Sequence, residues 1–404
     1  MSATERLHAL DAVRAAALIL GIFLHAAMPF LSGLPRGFWV WADTPSTTLA
    51  GLFFFIHLFR MSAFFVIAGL FARMVVERRG IGAFVRDRAK RIGVPLLLGL
   101  PLILLSIIAA ALGAAAIVDV ELPLILDPTP EQAALIPEGY FPWAHLWFLY
   151  YLLIFYVLAL LARTAVRALD RAGFLRAAAD HLARFAFSGP LGAVVPAVPI
   201  GLYFYNDPNW ITWAGLPAPY LYHPEIASLI GYGVPFALGW LVHRQLDLIP
   251  ALGRQWRSLS LVAVALALAA YIMAGPTPSF TDTSLAGGER IAYTAVYMLA
   301  QWCAILAFIA VAVRLWSHAG PARRYVADAS YWLYLMHMTV LAFFAVLLGP
   351  LDWHWSVKYT ITVGISIPLL LFTYHYCVRA TFIGALLSGR RLPRERLFST
   401  TPVR

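Results

Sequence analysis

Long apolar segments alternate with short polar ones along almost the whole chain. Crossing the hydrocarbon core of a bilayer takes roughly twenty helical residues, and ten segments reach or approach that length. They lie at about 11–33, 48–76, 92–118, 145–162, 189–205, 225–243, 259–275, 291–313, 329–350 and 357–378. The pattern predicts an all-α, polytopic membrane protein of about ten transmembrane helices. Residues 1–404 are then a single integral membrane domain that ends in a basic cytoplasmic tail, 379–404.

The charges in the connections predict how these helices are oriented. Arginines concentrate in the connections after the second, fourth and sixth segments, before the ninth, and in the tail. By contrast, the connection 119–144 carries five acidic residues and no Lys or Arg. Since positive residues favour cytoplasmic loops, the alternation predicts that both termini are cytoplasmic. We expect a multi-pass protein of the cell inner (cytoplasmic) membrane.

Composition supports a lipid-solvated protein and excludes several other classes. The 404 residues are 61% hydrophobic and 12% charged, whereas soluble domains carry about 25% charged residues. The net charge of +10 does not predict a nucleic-acid partner, because the positive residues lie in short loops between apolar segments. The two cysteines form no disulfide or metal motif. The histidines lack the spacing of HExxH or HxxxH pairs, so we expect no metal and no tightly bound cofactor.

The first apolar segment contains ionisable residues, each of which costs roughly 2.5–3.5 kcal/mol inside a bilayer unless it faces a cavity or a partner. Arg14 and His25 are eleven positions apart, a helical rotation of about 1100° that leaves them within about 20° of one direction. Asp11, Leu18 and Gly21 share this stripe. Because Arg14 and His25 are then about 16 Å apart along the helix, the stripe predicts a wall of a polar channel or an elongated substrate slot.

Ionisable residues in two further segments suggest that this wall faces a shared polar cavity. His57 and Arg60 are three positions apart in the second segment, and Tyr334 and His337 have the same spacing in the ninth. Burial disfavours a charged imidazole, so we expect a neutral His25 that can act as a general base towards a sugar hydroxyl. The alternatives are a His25 that bonds a neighbouring carbonyl and an Arg14 that snorkels to the interface.

Arginines near the cytoplasmic ends of the first three segments suggest an anion-binding surface. The guanidinium fork suits phosphates, so Arg14, Arg86, Arg88 and Arg91 could dock the phosphates of an acyl-CoA. The three arginines at 86–91 are also what inside-positive topology alone would produce. Trp147, in the run HLWFLYY, belongs either to an interfacial aromatic belt or to the lining of a sugar site.

Four segments of the chain resemble the membrane-bound acyltransferase 3 family. The start, RLHALDAVRAAALILGIFLHAAMPF, resembles the family's first span, whose hallmark is an arginine followed after ten intervening residues by a histidine, here Arg14 and His25. FFVIAGLFARMVVERRGIGAFVRDRAKRIGVPLL resembles the second block, with Arg88 and Arg91 as its Arg-x-x-Arg motif. HLWFLYYLLIFY and ASYWLYLMHMTVL resemble later blocks, and the likeness is greatest to the glucan-modifying (OpgC-like) branch. Ala68 departs from the serine that members often carry before the glycine.

The resemblance implies a ten-helix acyltransferase that transfers groups other than aminoacyl groups. An acetyl, succinyl or similar group would move from a cytoplasmic acyl-CoA to a hydroxyl of a glycan or glycolipid. The resemblance implies a catalytic role for His25, supported by Arg14, and the expected substrate-binding residues are Asp11, His57, Arg60, Arg88, Arg91, Trp147, Tyr334 and His337. The expected partners are acyl-CoA, a carbohydrate or glycolipid acceptor, and the lipid bilayer.

Two other classes of protein would also need buried ionisable residues in membrane helices. A transporter or flippase of an anionic or lipid-linked solute would use arginines in a cavity and would move its substrate without covalent change. A non-catalytic scaffold would tolerate the loss of Arg14, His25 and Arg60 together.

Overall fold

A computed structural model describes residues 3–34, 39–120, 138–318, 320–389 and 391–393 of the chain. Within these residues the structure is helical, and the extended pairing that it contains is an isolated bridge between Tyr140 and Leu221. Eight segments are long and apolar enough to cross a membrane. The prediction of an all-α, polytopic membrane protein is therefore confirmed.

Thirteen α-helices make up the described part of the chain. They are α1 (Ala3–Ala27), α2 (Thr47–Arg88), α3 (Val94–Val118), α4 (Trp147–Leu169), α5 (Phe174–Ala186), α6 (Val194–Asn206), α7 (Ile226–Val242), α8 (Leu248–Arg254), α9 (Trp256–Ala274), α10 (Gly287–Leu315), α11 (Pro321–Leu348), α12 (Trp355–Thr373) and α13 (Phe382–Ser388). Short 3₁₀ turns precede α4 and α6, and a π-helical turn, Ala89–Gly93, joins α2 to α3.

Each of the ten apolar segments corresponds to a helix, but not every one of these helices is long enough to cross a membrane on its own. The second and third segments belong to one continuous helical stretch, Thr47–Val118, which bends at Gly80, where φ is 78°. The fifth corresponds to α6, whose 13 residues are fewer than the roughly twenty that a crossing needs. The count of ten crossings and the cytoplasmic position of both termini stay predictions.

Helices α2 and α7 pack in close contact through glycines on both sides. A Cβ atom added at Gly69 would collide with the carbonyl oxygen of Phe236, and one added at Gly239 would collide with that of Val66. Lipid tails give membrane helices no hydrophobic reason to associate, so close backbone approach at small residues is a main source of their packing energy. This contact fixes the position of α2, which carries His57 and Arg60.

We expect Gly239→Ala to destabilise the fold, because the new methyl group has no room against α2. Overpacking typically costs about 1–3 kcal/mol, which should appear as a lower melting temperature of the detergent-solubilised protein. Gly364→Ala in α12 is the matched control, because a Cβ atom there meets nothing within 4 Å and alanine is the better helix former. Equal melting of the two variants would contradict the close α2–α7 contact.

Candidate active site

Two histidines from opposite ends of the chain form a hydrogen-bonded pair. Nδ1 of His25, on α1, lies 2.8 Å from Nε2 of His337, on α11. The two ring planes are inclined by 21°, and their centroids are 5.0 Å apart, as expected for rings that meet edge to edge through these nitrogens. On its other side, His337 places Nδ1 2.7 Å from the carbonyl oxygen of Tyr334, one turn earlier on the same helix.

The carbonyl group of Tyr334 determines which nitrogen of His337, and then which nitrogen of His25, carries the hydrogen. A carbonyl oxygen can only accept, so Nδ1 of His337 is the donor and Nε2 of a neutral His337 is an acceptor. The hydrogen between the two rings therefore belongs to Nδ1 of His25. This leaves Nε2 of His25 with a free lone pair, and among the described residues that nitrogen has no hydrogen-bond partner. A lone pair held in a fixed direction is what a general base requires.

A third histidine, His145, completes what we call the histidine cluster: His25, His145 and His337. His145 lies in the 3₁₀ turn before α4, with its ring centroid 4.8 Å from that of His337 and 5.1 Å from that of Tyr334. The Tyr334 hydroxyl donates to the backbone oxygen of His145 at 2.7 Å. Neither ring nitrogen of His145 makes a hydrogen bond of normal geometry within the described residues. No group of His, Cys, Asp or Glu side chains in that part of the chain could hold a metal ion.

Arg60, on α2, is a buried cation beside this cluster. The residue is 7% exposed, and its Nε has no hydrogen-bond partner among the described residues. None of the ion pairs among the described residues includes it. A Cβ atom at Gly21 would collide with its guanidinium group, so the absence of a side chain at Gly21 makes room for Arg60 one helical turn from His25. Because an unpaired buried charge is costly, Arg60 is poised to meet negative charge on a ligand.

Arg60 interacts electrostatically with all three histidines of the cluster. The predicted convergence of α1, α2 and α11 on one polar centre therefore matches the geometry.

Two other predicted substrate contacts, His57 and Trp147, have packing partners. Nε2 of His57 lies 3.0 Å from the carbonyl oxygen of Leu216, and its ring stacks on Phe53 with centroids 5.3 Å apart. Trp147 is buried and packs against Tyr232, with ring centroids 5.2 Å apart. Neither side chain lines the cavity described next.

A small cavity, partly open to solvent, adjoins His25. It lies among α1, α11, α12 and the segment that precedes α2. Arg60, Tyr334 and His337 do not line it, which differs from the expectation of one cavity shared by all these side chains. Its lining residues are His25, Ala26, Pro29, Phe30, Trp39, Asp43, Leu341, Phe344, Ala345, Leu348, Gly349, Lys358 and Thr362.

The other charged residues predicted for the site lie near the start of α1, at the opposite end from His25. Arg14, Arg88 and Arg91 form what we call the basic cluster. Arg14 pairs with Asp11 at 3.3 Å, and both side chains are more than one third exposed. Asp87 pairs with Arg88 at 3.7 Å and with Arg91 at 3.5 Å. These carboxylates hold guanidinium groups in place while leaving the cluster a net positive charge.

Neighbouring groups orient the arginines of the basic cluster. The Arg88 guanidinium lies over the ring of Tyr156 at 5.4 Å, a favourable cation–π geometry. Nε of Arg91 donates to the carbonyl oxygen of Leu387 at 3.1 Å, and Arg14 is close enough to interact electrostatically with Arg91. Arg86, by contrast, is exposed.

Comparison with known proteins identifies the family of the chain. Residues 7–375 match the family model described as an acyltransferase domain, Acyl_transf_3. The chain belongs to the acyltransferase 3 family. The protein is therefore a membrane acyltransferase, as the arginine and histidine of the first segment predict.

Curated relatives align with this acyltransferase over almost its full length. Glucans biosynthesis protein C of Salmonella heidelberg (strain SL476) is 24% identical over 391 residues, covering 94% of this chain and 94% of that protein. Glucans biosynthesis protein C of Salmonella enteritidis PT4 (strain P125109) aligns with the same identity and coverage. No solved structure matches the acyltransferase.

The structure also adds residues that sequence reasoning did not select for the acyltransferase site. His145 belongs to the aromatic run HLWFLYY, and Trp39 and Asp43 lie in a connection without a motif. Lys358 did give a signal, because it is a lysine in an apolar segment. It is only 5% exposed as a side chain and lines the cavity beside His25.

Proposed function

We propose that this protein transfers an acyl group, such as acetyl or succinyl, from a cytoplasmic acyl-CoA to a hydroxyl group of a glucan or a related glycan or glycolipid at the inner membrane. The observation that carries this proposal is the His25–His337 pair, which leaves a free lone pair on a histidine that lines a cavity. The family supports acyl transfer over transport, and the name of the curated relatives supports a glucan acceptor.

His25 is the general base of the proposed reaction. Its Nε2 takes the proton of the acceptor hydroxyl as the oxygen attacks the thioester carbonyl, and a new C–O bond forms. The C–S bond then breaks, and His25 returns the proton to the departing thiolate, which leaves as CoA. Throughout, Nδ1 of His25 donates to Nε2 of His337, so His337 keeps the imidazole oriented and shares the positive charge that it gains.

Arg60 stabilises the negative charge that develops on the thioester oxygen. It is buried, without a carboxylate among the described residues, and within electrostatic range of His25. A preorganised cation in a water-poor site is worth far more to a developing oxyanion than the same cation in water.

The basic cluster binds the phosphates of the donor. Arg14, Arg88 and Arg91 combine net positive charge with partial exposure, which a phosphate ligand requires. The helical rise from Arg14 to His25 is about 16 Å, a distance that the long, flexible pantetheine arm of CoA is suited to cross. Asp11 supports Arg14, and roles for His57 and Trp147 in substrate binding stay predictions.

The test is direct acylation in a purified system. The protein, in nanodiscs, is incubated with acetyl-CoA or succinyl-CoA and a linear gluco-oligosaccharide, and the sugar is analysed by mass spectrometry. We expect the mass increase of one acyl group together with stoichiometric release of CoA. Movement of the sugar or thioester across a vesicle membrane without a covalent change would instead support a transporter.

The His25–His337 pair gives a further test. We expect His337→Gln to lower kcat by about 10- to 100-fold, a part of the roughly 10²–10⁴ that a general base contributes, because the glutamine amide can accept the hydrogen bond from His25 but cannot share the positive charge that His25 gains. KM for both substrates should change little, and the pH profile of kcat should shift with the base.

His223→Gln is the matched control, because His223 is exposed in a loop and lies outside the cluster. A loss of activity in His337→Gln that follows only from less folded protein, with an unchanged kcat per folded molecule and an unchanged pH profile, would contradict the positioning role.

A further inference from the structure

After α12 the chain folds back towards the basic cluster and packs into the fold. The backbone nitrogen of Leu392 donates to the carbonyl oxygen of Arg379 at 3.1 Å, and Nε of Arg379 donates to the carbonyl oxygen of Pro393 at 3.0 Å. Leu387, in α13, is 5% exposed. Helix α13 is therefore held in place by residues on both sides of it.

The last turn of α13 contacts Arg91 of the basic cluster. Nε of Arg91 donates to the carbonyl oxygen of Leu387 at 3.1 Å. The last carbonyl groups of a helix have no partner within the helix, so an arginine is a suitable donor to them. The helix ends at Gly389, where φ is 77°, and a Cβ atom there would lie 3.6 Å from Nη1 of Arg91. The guanidinium group is thus packed against the end of the helix.

The contact with Leu387 uses the Nε donor of Arg91, so the two Nη groups are available to a ligand. Nη1 lies 3.5 Å from Oδ1 of Asp87, and the Arg91 side chain is 33% exposed. The backbone of Arg91 is fixed as well, because the Tyr331 hydroxyl donates to its carbonyl oxygen at 2.8 Å. A guanidinium fork held in this way presents two Nη groups in a set direction, which suits paired hydrogen bonds to phosphate oxygens.

We propose that α13 is a positioning element of the donor site, and that the Leu387 carbonyl group sets the direction in which Arg91 presents its Nη groups to a phosphate of acyl-CoA. This inference rests on the proposed function. An arginine side chain without this contact has many rotamers, and donor binding would have to order it at a cost in conformational entropy. Loss of the contact should weaken donor binding and leave the chemistry at His25 unchanged, because His25 lies at the opposite end of α1.

Gly384→Ala tests this role by displacing α13. A Cβ atom at Gly384 would collide with the carbonyl oxygens of Val378 and Arg379, so an alanine has to push the helix out of its position. We expect a donor KM about tenfold higher, the equivalent of about 1.4 kcal/mol, with the acceptor KM and kcat close to those of the wild type. Gly364→Ala is the matched control, because a Cβ atom there meets nothing within 4 Å.

Gly389→Ala is a milder variant that keeps the test valid if Gly384→Ala does not fold. Alanine is disfavoured at a φ of 77°, so the end of α13 that carries Leu387 should shift. We expect the donor KM to rise about threefold, in line with the modest cost of alanine at a positive φ. Size-exclusion chromatography and thermal melting measure the folded fraction of each variant.

A double-mutant cycle shows whether α13 acts through Arg91. CoA itself carries no acyl group, so its binding to the protein in nanodiscs can be followed by calorimetry without turnover. Gly384→Ala should raise the Kd of CoA about tenfold in the wild-type background and by less than about twofold in the Arg91→Gln background. A general loss of stability would have the same effect in both backgrounds.

The outcomes are distinct. If the wild type binds CoA with these differences yet acylates no sugar, the proposed function fails and the positioning role stands. Donor KM and CoA binding in Gly384→Ala and Gly389→Ala that equal those in Gly364→Ala would overturn the positioning role, and so would an equal effect of Gly384→Ala in both backgrounds. A wild type that binds no CoA would overturn both proposals.

Discussion

Replacement of His25 by glutamine should abolish measurable acyl transfer, with kcat lowered by roughly 10²–10⁴, the contribution of a general base. Glutamine can still donate a hydrogen bond to Nε2 of His337, but its other terminal atom cannot take up the proton of a sugar hydroxyl near neutral pH. The measurement is CoA release and sugar mass for the purified variant in nanodiscs, normalised to folded protein by size-exclusion chromatography.

The control for this variant is His8→Gln, a change of the same type on the same helix, α1, at a position outside the cavity. We expect wild-type turnover from it. Substantial turnover by the His25 variant would remove His25 from the proposed mechanism, whatever its effect on stability.

Replacement of Arg60 by methionine should separate activity from stability. We expect kcat to fall by about 10²–10³, the typical cost of removing an oxyanion-stabilising group, with little change in either KM. The melting temperature should hold or rise, because a well-packed apolar side chain can stabilise a site where a buried charge has no partner. Steady-state kinetics and thermal melting of the same preparation measure both quantities.

Arg290 provides the contrasting control. It is similarly buried, but its guanidinium donates to the backbone oxygens of Tyr205 at 2.9 Å and Phe204 at 3.1 Å. Arg290→Met should therefore lower the melting temperature, because it leaves those carbonyl groups without donors. An Arg60 variant that behaves like the Arg290 variant would show that Arg60 is structural.

The parts of this protein that sequence predicts are those that depend on local periodicity. Apolar segments of membrane-crossing length gave the helices, and the 3.6-residue repeat placed Gly21 and His25 on one face of α1. That face proved to meet Arg60 and His337. The three-residue spacing of Tyr334 and His337 placed them on one face of a helix for the same reason, since both lie on α11.

The remaining features depend on contacts between distant parts of the chain. His145 lies beside residues about 190 positions later, Tyr334 and His337, and its local sequence resembles an ordinary aromatic belt. Asp43 meets a lysine 315 positions away, from a connection that has no helical repeat to orient it. Apolar character also overestimates the length of one helix. The apolar segment 189–205 begins before α6, and α6 itself has 13 residues.

A second imidazole and a backbone carbonyl orient His25, and this has a consequence for an enzyme inside a lipid bilayer. Many soluble hydrolases steady their histidine with an aspartate, a permanent negative charge that would be costly to keep away from water. Here each link, from His25 to His337 to the oxygen of Tyr334, is uncharged in the resting state. Within this relay, charge would be separated only during turnover, and the two histidines would return to neutrality with every product released, while Arg60 remains the cation beside them.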